Sequence, residues 1–83
     1  VDCFVMAVTL DNRIEEAPKF QEVLTKHGCI IKMRLGLHEA GDKCSNQGLI
    51  IMQLVGTEED VKAFENDLKA LNSLKVKWMK LDC

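Results

Sequence analysis

The sequence predicts an α+β sandwich in which two helices cover one face of a four-stranded antiparallel sheet, and three observations carry that prediction. Its 83 residues alternate apolar runs with helical periodicities in the order βαββαβ. Two of the four strand candidates are almost wholly apolar, and the other two alternate apolar with polar residues. No repeat, linker or low-complexity stretch interrupts the series, so residues 1–83 are expected to form one domain around a single small core.

The first strand is read at "CFVMAVTL" (3–10), a Val-rich run bounded by the polar "DNR". "EEAPKFQEVLTKHG" (15–28) follows as a helix, with Ala17, Phe20, Val23 and Leu24 on one face, Pro18 expected in its first turn and Gly28 as its stop. "CIIKMRLGL" (29–37) alternates, placing Cys29, Ile31, Met33, Leu35 and Leu37 on one face and Ile30, Lys32 and Arg34 on the other, which marks an edge strand. The polar "HEAGDKCSNQG" (38–48) is the longest loop, and "LIIMQLV" (49–55) is the second central strand. Thr57 and Asp60 have the spacing of a capping box ahead of a second helix, whose Val61, Phe64, Leu68 and Leu71 recur at helical spacing. "LKVKWMKL" (74–81) alternates again, with Lys75 and Lys77 opposite Val76 and Trp78, as an edge strand should.

The βαββαβ order has a common solution, the ferredoxin-like split βαβ sandwich. Right-handed crossovers place strand three between strands one and two, giving the order 4-1-3-2 with both apolar strands in the middle.

Composition removes several classes of function. The net charge of −2 does not suit a polyanion binder, so no direct nucleic-acid binding is expected. The third strand also lacks the aromatics an RNA-recognition sheet uses for stacking. No apolar run is long enough to span a bilayer and the first ten residues lack the basic flank of a signal peptide, so the expected setting is soluble and cytoplasmic, without membrane association. Cys3, Cys29, Cys44 and Cys83 form no C-x-x-C pair, which removes the usual zinc-ribbon, thioredoxin and ferredoxin-cluster signatures, and reduced thiols are expected. An acylphosphatase-type enzyme would need an anion-cradling loop after strand one; "LDNRIEE" supplies Arg13 without glycines. No nucleophile, base and orienting group can be placed together, so the chain is read as not an enzyme, and no cofactor is expected.

"LDNR", "KHGCIIKMRLGLHE", "GLIIMQLVGTEEDVKAFENDLKAL" and "LKVKWMKL" together resemble the small ACT-like family of iron-only hydrogenase system regulators, over residues 4–81. The shared R-x-G falls on Arg34 and Gly36. The resemblance implies a ferredoxin-like, ACT-like oligomer with a regulatory role and no catalytic activity. A more distant similarity is to the C-terminal domain of nickel-responsive repressors. That family's H-x-H on strand two reads Gly36-Leu37-His38 here, so one nickel ligand is lacking.

Three regions are candidates for function. At one end of the sheet lie Asp11, Asn12 and Arg13 after strand one, with Arg34, Gly36 and His38 on and after strand two. ACT-like domains commonly place an effector pocket at this end. Carboxylate and amide acceptors beside two guanidinium groups suit a small polar or anionic effector, and His38 is expected to add an imidazole that responds to pH near neutral. The opposite end gathers Cys3, His27, Cys29 and Cys83, whose alternative readings are a soft-metal or thiol site and ordinary surface and core side chains. The third region is the sheet face away from the helices, on which the phase places Ile30, Lys32, Arg34, Lys75 and Lys77, with Leu49, Ile51 and Gln53 between them. An apolar stripe with basic margins invites cover by a second copy, so a homo-oligomer, dimer or tetramer, is the expected partner state.

Overall fold

The computed structural model describes residues 2–10, 13–37, 48–71 and 74–82, with the side chains of residues 13–16 and 37 outside that description. Strand β1 (Asp2–Leu10) leads into helix α1 (Arg13–Lys26), a 3-10 turn (Gly28–Ile30) and strand β2 (Ile31–Leu37). Strand β3 (Gly48–Gly56), helix α2 (Glu58–Lys69) and strand β4 (Leu74–Leu81) complete the order. The sheet runs β2-β3-β1-β4, which is the expected 4-1-3-2 order of a ferredoxin-like α+β fold. Every neighbouring pair is antiparallel, so β1 and β2, both antiparallel to β3, run in the same direction.

Strict alternation along β1 builds the core. Phe4, Met6, Val8 and Leu10 turn towards the helices and are buried, while Val5, Ala7 and Thr9 turn the other way. Met52 and Leu54 of β3 and Val76 of β4 continue the buried layer, and Ile50, Leu74 and Trp78 flank it. The helices contribute Phe20 and Leu24 from α1 and Val61, Phe64 and Leu68 from α2, residues spaced three, four or seven apart as one helical stripe requires. At ~1.5–3 kcal/mol for each large apolar side chain removed from water, Phe4, Phe20 and Phe64 lead the stabilising side. Trp78 stands edge-on to Phe4, with ring centroids 5.6 Å apart. A hydrogen bond with Trp78, backed by Lys69, holds the Glu65 carboxyl below its usual range.

Helix α2 starts where Thr57 takes an extended conformation and closes both halves of a capping box. Its hydroxyl accepts from the Asp60 amide at 3.1 Å, and the Asp60 carboxylate accepts from the Thr57 amide at 3.2 Å. Helix α1 begins two residues earlier than its periodicity suggests. Pro18 is therefore the sixth helical residue instead of lying in the first turn, and the missing N–H leaves the carbonyl of residue 14 without its intrahelical donor. The helix ends at Lys26, and the His27 amide donates to the Val23 carbonyl at 3.1 Å. Residues 29 and 30, expected as the beginning of β2, form with Gly28 the 3-10 turn instead.

That turn and a β-bulge change the phase of β2. Ile31 pairs with Leu54 and Met33 with Gln53, so the register shifts at Lys32. Arg34 then lies opposite the buried Met52, on the helix-covered side, and Met33 and Leu35 lie opposite Gln53 and Ile51, on the uncovered side. The expected phase is corrected accordingly. Ile30 packs against the core instead of facing outward, Arg34 leaves the open face, and Met33 and Leu35 take its place at 47% and 52% exposure.

Candidate functional site

The sheet register brings three rows of side chains across the open face. One row reads Leu35, Ile51, Ala7 and Lys77 from β2 to β4, and the next reads Met33, Gln53, Val5 and Met79. Leu49, Thr9 and Lys75 share the third. Met33, Leu35 and Met79 are the exposed large apolar residues of the described chain, and all three belong to this face. Beside them Val5, Ala7, Lys77, Trp78 and Met79 line a shallow depression of about 200 Å³. The β2 side thus presents Met33 and Leu35, and the junction of β1 and β4 is a hollow that includes the small Ala7 and the exposed Met79.

Of the residues expected on this face, Leu49, Ile51 and Gln53 sit on it half-buried, and Lys75 and Lys77 are exposed along its β4 margin. Lys32 is exposed at the bulge. Sequence reasoning overlooked Met33, Leu35, Val5, Ala7 and Met79. Met79 was available as the next member of the series Lys75, Lys77, Met79. Val5 and Ala7 were hidden because β1 is apolar on both faces.

The end of the sheet proposed for an effector is where β1 and β2 finish and β3 and β4 begin, since Leu10 pairs with both Gly48 and Leu74, and Leu37 pairs with Leu49. Arg34 extends along α1, its Nη1 donating to Gln21 Oε1 at 3.3 Å. Gly36 is exposed, and a Cβ built on it meets nothing within 4 Å, so the backbone there lies open to an approaching group. Arg13 is the first residue of α1; its side chain, and Asp11, Asn12 and His38 entirely, lie outside the described residues.

At the opposite end the cysteine and histidine candidates have different partners. Cys29 is a free, exposed thiol in the 3-10 turn. Cys3 is disulfide-bonded, against the expectation of reduced thiols, and so does not offer the thiolate a soft metal requires. His27 is mostly enclosed between the helices, its ring 5.0 Å from that of Phe64 and its Nε2 2.7 Å from Asp67 Oδ2. Lys26 reaches the same carboxylate oxygen at 3.0 Å. The bond with His27 and, next, that with Lys26 hold the Asp67 carboxyl below its ordinary range. Among the described residues no group of three or more His, Cys, Asp or Glu side chains is arranged to hold a metal ion; Cys83 lies outside them. No helix among the described residues is long and apolar enough to cross a membrane.

No family model and no curated protein matches the chain. Solved structures do. An uncharacterized protein from Thermotoga maritima superposes with a TM-score of 0.85 at 17% identity, covering 98% of both chains. CPII, a nitrogen regulatory PII-like protein from Thiomonas intermedia K12 whose structure holds ADP, AMP and bicarbonate, gives a TM-score of 0.61 at 12% identity, over 100% of this chain and 93% of that one. A cofactor-independent oxygenase from Streptomyces nogalater gives 0.62 at 11% identity, over 100% and 96%. Sequence identity this low shows the shared ferredoxin-like fold, a fold that carries both regulators and an enzyme.

Proposed function

We propose that this chain is a non-enzymatic, ACT-like regulatory module that binds a small polar or anionic effector and works as an oligomer. The observation that carries this reading is the uncovered apolar face. Leu35, Ile51, Met33, Val5 and Met79 lie on the side of the sheet away from both described helices, and a monomer of this size gains nothing from leaving them in water. A PII-like protein of the same fold, which binds nucleotides and bicarbonate, supports the choice of a ligand-binding regulator over other uses of the fold. The effector site is assigned to the sheet end near Arg34 and Gly36, together with Asp11, Asn12, Arg13 and His38. Guanidinium groups beside amide and carboxylate acceptors suit an anionic, hydrogen-bonding metabolite.

Two measurements test the reading. Sedimentation should find wild-type protein as a dimer or tetramer at micromolar concentration and Ile51→Lys as a monomer of unchanged circular dichroism. A thermal-shift screen of nucleotides, amino acids and small anions should find a stabilising compound whose effect is lost in Arg34→Ala. A wild-type protein that is monomeric at high micromolar concentration sinks the oligomeric half, and a hit indifferent to Arg34 and Arg13 sinks the assigned site.

A further inference from the structure

We propose that the occupant of the open face is a second copy of this chain whose twofold axis lies in the interface and parallel to the strands. β2 of each copy then lies over β4 of the other, and β3 over β1. This inference rests on the oligomeric reading above and goes on to fix which residues meet.

The face is asymmetric from edge to edge. Its β2 margin carries the exposed Met33 and Leu35, and its β1–β4 margin carries the hollow lined by Val5, Ala7, Lys77 and the exposed Met79, with Lys75 and Lys77 along the edge. Two sheets stacked face to face are related by an axis in the plane between them, and a pair of nearly aligned sheets leaves two choices for it. An axis across the strands sets each strand over its own copy. Ridge then meets ridge and hollow meets hollow, and Lys75 and Lys77 of both copies crowd one margin. An axis along the strands reverses the edge order and keeps each cross-strand row opposite itself. In the row Leu35, Ile51, Ala7 and Lys77, Leu35 then faces the aliphatic stem of Lys77 of the other copy, and Ile51 faces the small Ala7. The row below sets Met33 over Met79 and Gln53 over Val5. The lysines separate to opposite margins, and each aliphatic stem lies along an apolar ridge with its ammonium at the rim.

With ~4.8 Å between strands and ~6.8 Å between same-face residues, four strands by three rows project to roughly 400 Å², about half of the ~800 Å² per partner of a standard interface before side-chain relief is added.

Leu35 and Lys77 of one copy are separated by β3 and β1, roughly 14 Å at ~4.8 Å per strand spacing. That exceeds the ~10 Å screening length of ordinary buffers, so a charge at position 35 senses Lys77 across the dimer and not within its own chain. Sedimentation equilibrium on Leu35→Glu, Leu35→Lys and the double variant Leu35→Lys/Lys77→Glu reads this directly, with circular dichroism reporting the fold. The strand-parallel axis requires Leu35→Lys to weaken dimerisation by about tenfold or more, Leu35→Glu to stay within about threefold of wild type, and the double variant to recover most of the loss. Should Leu35→Lys fail to fold, Lys77→Glu alone against Leu35→Glu/Lys77→Glu makes the same comparison with the signs reversed, and the doubly acidic protein must be the weaker dimer. Equal weakening by Glu and Lys at position 35, or no recovery in the double variant, overturns the strand-parallel arrangement while the dimer itself stands. A monomeric wild type instead removes the oligomeric reading and this one with it.

Discussion

Thr57→Ala is the most direct probe of how the chain sets α2 on the sheet. Thr57 follows directly on β3, and its extended backbone turns the chain into the helix. The substitution removes the hydroxyl that accepts from the Asp60 amide at 3.1 Å and leaves the reciprocal bond, Thr57 amide to Asp60 carboxylate at 3.2 Å, in place. Losing an N-cap acceptor costs about 1 kcal/mol, which for a domain of this length lowers the melting temperature by roughly 4–8 °C. Urea unfolding should show a lower midpoint with an unchanged slope, because no core residue moves. Thr57→Ser, which keeps the acceptor, should restore most of the loss. Asp60→Ala removes the other half of the box, and the double variant should lose less than the two singles together. The box also has a pH signature. The bond from the Thr57 amide, and next that with its hydroxyl, depress the Asp60 carboxyl. Its contribution is therefore present above the ordinary carboxylate range and is lost as pH falls through that range to its own lowered value. A Thr57→Ala protein that melts with wild type, or is not rescued by serine, would refute the assignment of the helix start to this cap.

Gly56→Ala should destabilise despite an ordinary backbone, since the added methyl would stand 3.0 Å from Ile30 Cγ2 and 3.2 Å from Asp60 Oδ2; a cost of about 1 kcal/mol or more is expected in urea unfolding, and an unchanged midpoint would show that the 3-10 turn gives way freely. Asp67→Asn should flatten the acid limb of the stability profile: the Asp67 carboxyl is depressed by His27 and then Lys26, so its stabilisation holds above the ordinary carboxylate range and fades as pH falls through it. Parallel wild-type and Asp67→Asn profiles across that range would mean that the contact between the helices carries no net coupling.

The fold was legible because its two signals are redundant. Phe4, Met6, Val8 and Leu10 fall on one face of β1 whatever happens on its other face, and the stripe of Val61, Phe64 and Leu68 admits no competing phase. The capping pair Thr57 and Asp60 was legible for the same reason, since the motif and the helical stripe agree on where α2 begins. The link from His27 to Asp67 was not, because the two lie forty positions apart and two helices have to be placed before the pair meets. The proposed effector end is half legible. Arg34 and Gly36 can be located from strand pairing, but the hydrogen bond from Arg34 to Gln21 follows from a face of β2 that alternation alone assigned wrongly.

That reversed face is itself informative. "IIKMRLGL" (30–37) alternates equally well in either phase, and the rule that apolar residues point inward selects the wrong one. The bulge at Lys32 turns Ile31 towards the core and leaves the next two apolar residues, Met33 and Leu35, facing away from it, with Arg34 beside α1. An edge strand facing water on one side should place its charges there, yet this one carries Arg34 on the helix side and Met33 and Leu35 on the side away from the described helices. The helix side can hold Arg34 because an edge strand lies at the margin of the core, where a guanidinium reaches solvent and still bonds Gln21. The open side gains nothing from Met33 and Leu35 in an isolated monomer. A face with this distribution is the basis of the proposed dimer, in which a second copy turned about an axis along the strands would set Met33 and Leu35 of one copy over the β4 margin of the other.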